Sequence, residues 1–353
     1  MIKKSKPGIR TTGKTIRLHP KSRKLIANSV IRAIRTMNLQ QPEVRHSPTL
    51  QSYMEPKKIR ILMVSSLSDE TLWQAEQLIA ENFRLLAKEL VSIKAFQSFS
   101  TALAQLNPDL LLVVGNEEPF SDTDLDILRS SSVKKAIWLS DGTATNEYTG
   151  RLAAVFDYVF TQNVHHLTFY QHSGSNQVMY LPYAADRSLF FPRYVDNDCR
   201  SDILILGDSL PGSRQYIQEI SPLLEGLKVY AAGNGWESYP EVRSMPSEAA
   251  LPDLYNGAEI IIHWGQPPGR VFDIAACGAF QLAEAHPNYY EYVNPGEDIA
   301  IFHSGAELRD KLHYYLNHPE AKRAVASRAL WKSTYDYSYL QMAAKLLHTV
   351  FNC

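Results

Sequence analysis

Arg270 and Asp273, three positions apart, carry the most suggestive chemistry in this chain of 353 residues. A guanidinium pairs with a diphosphate and a carboxylate accepts from ribose hydroxyls, so together they suit a nucleotide. The same spacing lets the two side chains simply pair with each other on one helix face, and that plainer reading stays open. Just upstream, His263 and Trp264 follow the run 258–262, which is apolar apart from Glu259 and suits a parallel strand covered on both faces. Pro267 and Pro268 set a rigid entry to a short helix, whose small Ala275, Ala276 and Cys277 allow close packing before Gly278 ends it. Open parallel sheets bind ligands beyond the carboxyl ends of their strands, so a sugar nucleotide would sit at the turn holding His263, Trp264, Arg270 and Asp273.

Two further turns have the same character. Gly207, Asp208 and Ser209 follow a strand and precede a helix, an arrangement in which backbone N–H groups and the helix dipole can meet phosphate oxygens. Strand-to-helix turns also use Gly and Ser for geometry alone. Arg214 lies early in that helix, where the dipole disfavours a cation; an anionic ligand explains it, as does an ion pair with Glu219 or with a carboxylate from elsewhere. Gly233, Asn234, Gly235 and Trp236 close the next strand. The glycines permit backbone approach to a ligand, and the indole either covers a base or sugar ring or is buried in the turn.

These turns need elements to hold them. From Lys58 onward the hydrophobic pattern alternates strand and helix, predicting strands over 59–64, 91–96, 109–114, 134–139, 158–161 and 178–181, with a long amphipathic helix over 69–90. Pro182 opens an irregular run, and the cycle restarts with a strand at 202–206, a helix at 215–224, a strand at 228–231, helix at 251–255, and strands at 259–262 and 280–283. Three helical segments, 307–316, 320–331 and 339–351, complete the chain. The expected organisation is therefore an appendage at 1–55, one doubly wound α/β domain at 56–186, a second at 187–334, and a final helix at 335–353.

Composition limits the alternatives. A hydrophobic content of 45% over this length supports two cores of ordinary domain size. Cys199, Cys277 and Cys353 are too few and scattered for a disulfide framework or zinc site, which favours a reducing compartment such as the cytoplasm. No apolar run reaches the roughly 20 residues that span a bilayer. Net charge is −1, yet residues 1–60 hold 15 Lys or Arg against only Glu43 and Glu55, a local +13 that leaves −14 for the rest. Within that segment Ile26, Val30, Ile34 and Met37 recur at helical spacing, while Lys21, Lys24, Arg32 and Arg35 lie mostly elsewhere on the wheel. Such a basic amphipathic helix suits an anionic membrane surface or a protein partner, or else folds against the acidic body of the protein. Nucleic acid is not expected, because no aromatic platform is interleaved with the charges.

The segments WLSDGT, FDYVFTQN, YLPYAADRSLFFP, ILGDSLPGSRQYI, AAGNGWE, LYNGAEI, GRVFDIAACGAFQLAE, ELRDKLHYYLNHPEAK and TYDYSYLQMAAKLL, in that order, resemble the CgeB-type spore maturation family of glycosyltransferases. The resemblance covers about residues 135–350. It implies a GT-B fold: two Rossmann-like doubly wound domains facing across a cleft, the second holding the nucleotide sugar and the first receiving the acceptor, with a C-terminal helix crossing back to the first domain. Arg214, Arg270 and Asp273 fall on matching positions. Asp141, in WLSDGT, falls on the acceptor side, where a carboxylate could serve as general base to an acceptor hydroxyl or merely bond the backbone of Thr143.

The chain also departs from a pattern of many retaining GT-B enzymes, in which two glutamates are separated by seven residues. Asp273 stands at the second position, but Gly265 stands at the first, which leaves retention or inversion open and makes His263 and Trp264 the candidates to meet the transferred sugar. The pairs Asp122/Asp124 and Asp196/Asp198 have Asp-x-Asp spacing, but the first looks like a helix cap and the second lies in a linker. No essential metal and no cofactor beyond the donor substrate is expected, since positive charge and helix N-termini can stabilise a leaving diphosphate. The expected activity is transfer of a sugar from a nucleotide diphosphate donor to a glycan, protein or small-molecule acceptor. The competing expectation is a non-catalytic relative that binds a nucleotide sugar or glycan, or that serves in assembly, at a spore surface for instance.

Overall fold

The computed structural model of the chain describes residues 56–352 apart from 66–69, 95–98, 116–119, 141, 176, 183, 210–211, 241, 246–249 and 266–268. The basic segment 1–55 and the proposed helix within it lie outside the described residues.

The first group of strands is β1 (Arg60–Ser65), β2 (Glu89–Lys94), β3 (Leu110–Val114), β4 (Lys134–Leu139), β5 (Tyr158–Thr161) and β6 (Val178–Tyr180). All pair in parallel in the order β2-β1-β3-β4-β5-β6. Helices α1 (Glu70–Leu86), α2 (Phe99–Leu106), α3 (Asp122–Ser130), α4 (Glu147–Ala153) and α5 (Leu167–His172) connect them. The second group is β7 (Ser201–Leu206), β8 (Val229–Ala232), β9 (Val242–Ser244), β10 (Ala258–His263), β11 (Gln281–Glu284) and β12 (Ala300–Phe302), again parallel, in the order β12-β11-β10-β7-β8-β9. Its helices are α6 (Arg214–Leu224), α7 (Leu251–Gly257), α8 (Arg270–Ala276) and α9 (Tyr289–Tyr292), followed by α10 (Gly305–Asn317), α11 (Pro319–Tyr335) and α12 (Tyr339–Phe351). Two Rossmann-like sheets result, each reversing its strand order once: between β1 and β3 in the first, and between β7 and β10 in the second.

The continuous apolar runs became the central strands because both their faces are covered. All five residues of β3 are buried, as are the last five of β4. The edge strand β2 is largely exposed, and here the sequence reading was displaced by two residues. Helix α1 stops at Leu86 rather than near 90, because the chain reverses at Ala87 and the Lys88 N–H bonds Ile59 O at 2.9 Å. That bond fixes the register in which Arg60 faces Glu89. The short crossovers α2, α4 and α5 and the three-residue edge strands β9 and β12 were not foreseen, and of α3 only the cap was; none is long enough to show a period clearly. Asp122 and Asp124 do lie in a capped first turn, where Ser121 and Asp124 close a capping box.

One face of the first sheet, with Ile61, Met63, Leu112 and Trp138, packs against α1 and α12. Helix α12 thus returns from the end of the chain to the first sheet and buries Tyr339, Met342, Ala343, Leu346, Leu347, Val350 and Phe351. Its start is capped by Ser338, whose side chain accepts from Gln341 N at 3.3 Å. Asn288 ties the second half to the loop after β5: its fully buried amide donates to Gln162 O at 3.0 Å and accepts from Val164 N at 3.1 Å. Nearby Tyr180 of β6 stacks on Tyr292, centroids 6.0 Å apart.

If α12 is part of the first core, truncating its fully buried Leu346 to Ala should cost about 2–5 kcal/mol of unfolding free energy, measured by urea denaturation. A loss no larger than that of a surface substitution would overturn this packing role.

Candidate functional site

The strand order of the second sheet reverses between β7 and β10, and the loops beyond their carboxyl ends meet there. Gly207 and Gly233, the residues after β7 and β8, approach so closely that a Cβ on Gly233 would lie 2.2 Å from Gly207 O. Both adopt positive φ, +148° and +149°, where other residues are strained. Two indoles then hold the turn. Trp236 Nε1 donates to Gly207 O at 2.8 Å, and Trp264 Nε1 donates to Asp208 O at 3.1 Å. The Asp208 carboxylate accepts from Asn234 N at 2.8 Å and from Asn234 Nδ2 at 3.2 Å, while Ser209 N bonds Asn234 O at 2.8 Å. Ser213 Oγ adds a bond to Asp208 O at 2.6 Å.

Gly207, Asp208, Ser209, Gly233, Asn234, Gly235, Trp236 and Trp264 are therefore brought together as one interlocked edge. The chemistry differs from the expectation in one respect. Trp236 is 1% exposed and Trp264 5%, so these indoles brace the loops from inside and present no open face for a base.

Arg214 is exposed at the first turn of α6. Its suggested partner Glu219 is engaged instead by Arg309 of α10, at 2.7 Å, and among the described residues Arg214 has no ion-pair or hydrogen-bond partner. Arg270 is placed otherwise. Its Nη1 donates to the buried Tyr255 hydroxyl at 3.1 Å, and its charge acts on Asp273, His263 and Tyr255. Burial pushes the Asp273 carboxyl up to about 7 and Asp186 pushes the same way, while Arg270 pulls it down. Arg270 and Asp273, both half-buried, thus lie in one cluster with Tyr255.

His263 is also internal, 1% exposed. Its Nε2 lies 2.9 Å from Gln281 Oε1, and Gln281 Nε2 donates to Val271 O at 3.0 Å, which orients the amide so that its oxygen faces the ring. His263 Nε2 therefore carries the proton and donates. Desolvation lowers the ring to about 4, so it is neutral at ordinary pH. The structure gives His263 a fixed place holding β10 to β11, without an exposed ring edge. Asp141, the acceptor-side candidate, lies outside the described residues.

Two residues of this edge escaped the sequence reading. Glu284, the last residue of β11, accepts from the Tyr216 hydroxyl at 2.6 Å and from Gly265 N at 3.0 Å. Glu284 could have been noticed as a carboxylate at a strand's carboxyl end; Tyr216 carries no such signal, because its partner is 68 residues away.

Comparisons agree with this geometry. The Glycosyl transferase-like family matches residues 213–348, from the start of α6 into α12. Spore protein CgeB of Bacillus subtilis (strain 168) is 25% identical over 290 residues, covering 74% of this chain and 85% of that protein. Over these spans the chain is similar to CgeB-like glycosyltransferases. Among solved structures, HepE of Anabaena in complex with UDP superposes with a TM-score of 0.58 at 14% identity, covering 84% of this chain and 100% of that one. HepE in complex with UDP-glucose gives 0.54 at 12% identity, with the same coverage. The fold of the chain is GT-B, two Rossmann-like domains with the last helix returned to the first. Among the described residues no helix is long and apolar enough to cross a membrane, and no three His, Cys, Asp or Glu side chains gather as metal ligands.

The raised Asp273 carboxyl has a consequence for stability. Between its ordinary 3.8 and about 7 the folded chain keeps a proton that the unfolded chain has released, so this contribution is full below about pH 4 and lost as pH rises to 7. Asp273→Asn should flatten that decline, and Arg270→Ala, which removes the opposing charge, should steepen it and lower the melting temperature. Thermal melts from about pH 5 to about pH 7.5 provide the check; identical slopes in wild type and Asp273→Asn would overturn it.

Proposed function

We propose that this GT-B protein transfers a sugar from a nucleotide diphosphate donor, with the second sheet holding the donor and the first receiving the acceptor. The observation that carries the reading is Arg214: an exposed guanidinium in the first turn of α6, without a partner among the described residues, beside the turn at which the second sheet reverses its strand order. An anion such as a diphosphate is the partner that the helix dipole and the turn's backbone N–H groups favour there. The HepE complexes support a uridine donor, since the same fold there holds UDP and UDP-glucose. In this reading His263, Trp236, Trp264, Arg270 and Asp273 position the edge, Gly207 to Ser209 and Gly233 to Gly235 supply its backbone, and Asp141 serves the acceptor. The acceptor is a hydroxyl-bearing glycan, protein or small molecule, and catalysis takes place in the cytoplasm without a metal ion. The basic segment 1–55 attaches the protein to an anionic membrane, a protein partner or a spore surface. Gly265, where many retaining enzymes carry a carboxylate, favours a second reading, a donor-binding protein without turnover.

Arg214→Ala should weaken UDP binding in calorimetry by about 1.5–3 kcal/mol, the range for charged hydrogen bonds, and leave the melting temperature unchanged. Unaltered affinity would overturn the placement of the diphosphate.

UDP release from UDP-glucose should continue in excess EDTA. Activity lost to EDTA and restored by magnesium would overturn metal independence, and tight binding without any release would support the second reading.

A further inference from the structure

We infer that Glu284 is the residue that binds the donor's sugar, taking the place of a carboxylate that Gly265 lacks; the inference rests on the donor reading above. The carboxylates at the carboxyl edge of the second sheet are not equivalent. Asp208 is tied to the neighbouring loop by Asn234, which takes one of its oxygens through both its backbone and side-chain nitrogens. Asp273 belongs to the cluster around Arg270. Glu284 is half-buried, and each of its oxygens accepts one bond, Oε1 from the Tyr216 hydroxyl and Oε2 from Gly265 N. A carboxylate offers about four lone-pair directions, so each oxygen can accept again.

The surroundings say where those bonds point. Gly265 is exposed, its φ is +60°, and among the described residues no atom lies within 4 Å of where a Cβ would be. The Glu284 carboxylate is held against the backbone of this residue at the carboxyl end of β10. Its orientation is fixed from the other side by Tyr216. That ring is 7% exposed, sits edge-on to Phe302 at 5.2 Å, and has its hydroxyl pushed up to about 12, chiefly by burial and then by Glu284 itself. Tyr216 therefore stays protonated and always donates.

An acceptor-only group needs hydroxyls or N–H groups from its ligand and repels phosphate. Arg214 and Tyr216, which orients Glu284, both belong to the first turn of α6, so one short element is tied to a guanidinium and a carboxylate with opposite demands. Together they order the donor, with diphosphate toward Arg214 and the free hydroxyls of the sugar toward Glu284. Glu284 thus sets the preference for a sugar nucleotide over the bare nucleotide.

Calorimetry of the full chain with UDP, UDP-glucose and UDP-N-acetylglucosamine tests this. Glu284→Gln keeps the shape and an oxygen for Gly265 N but removes the charge. It should weaken the tighter-binding UDP-sugar by roughly 10- to 100-fold while leaving UDP affinity and melting temperature near those of wild type. An unchanged ratio of UDP-sugar to UDP affinity, or an equal loss for both, would overturn the assignment, as would a lower melting temperature with the ratio preserved. Should Glu284→Gln not fold, Tyr216→Phe, which removes only the orienting hydroxyl, should shift the same ratio in the same direction, and an unshifted ratio would overturn it. Wild-type protein that binds none of the three probes would instead refute the donor reading itself.

Discussion

The close approach of two backbones, Gly207 and Gly233, is the constraint on which the candidate site depends. No side chain fits at Gly233, since a Cβ there would lie 2.2 Å from Gly207 O, and both residues hold positive φ. The contact lets Asp208 reach Asn234 and lets Ser209 bond back to it, so two loops from neighbouring strands act as one body. The Trp236 and Trp264 indoles then satisfy the carbonyls of Gly207 and Asp208, which the sharp turn takes out of the sheet ladder. A buried carbonyl without a donor carries a desolvation cost, so Trp236 supports this turn at Gly207 O, while Trp264 shares Asp208 O with Ser213 Oγ. Preorganisation of this kind leaves little to be ordered when a ligand arrives.

Much of this was legible along the chain. The apolar runs of β3, β4, β7 and β10 appear almost residue for residue as buried strands, because a strand covered on both faces leaves no room for polar positions. The return of α12 to the first sheet followed from family resemblance, and its apolar face agrees. What could not be read were relations between distant residues. Glu284 and Tyr216 are 68 positions apart, and Asn288 meets Gln162 across 126. The hydrophobic period of a sequence registers burial; it carries no information on which polar tips meet.

Arg270 and Asp273 show the same limit in a sharper form. Spacing of three on a helix is one signal with two outcomes, a pair aimed at a ligand or a pair aimed inward. Tyr255 bears on the choice: fully buried in α7, it presents its hydroxyl to Arg270, which is itself half-buried. Asp273, close to that charge yet desolvated, keeps its proton to about neutral pH. A cluster of this kind supports β10 and α8 from behind, next to His263, whose neutral ring is bonded to Gln281 in the same layer.

Charge on α6 was resolved in the opposite sense. Glu219, one turn and a half along the helix, was the obvious local partner for Arg214, yet it faces α10, where Gly305 lies so close that a Cβ there would stand 2.9 Å from Glu219 Cγ. Arg309, one turn further along α10, takes the carboxylate at 2.7 Å. The packing of α10 on α6 thus removes the neighbour that would have neutralised Arg214, while the helix dipole continues to disfavour a cation at that end. A positive group kept in a first turn against its dipole, after its only nearby acid on the same helix has been drawn away, is stabilised most by an anion from outside the described chain. Two residues later the same helix presents Tyr216 to Glu284, so α6 carries both the cation and the hydroxyl that orients the carboxylate.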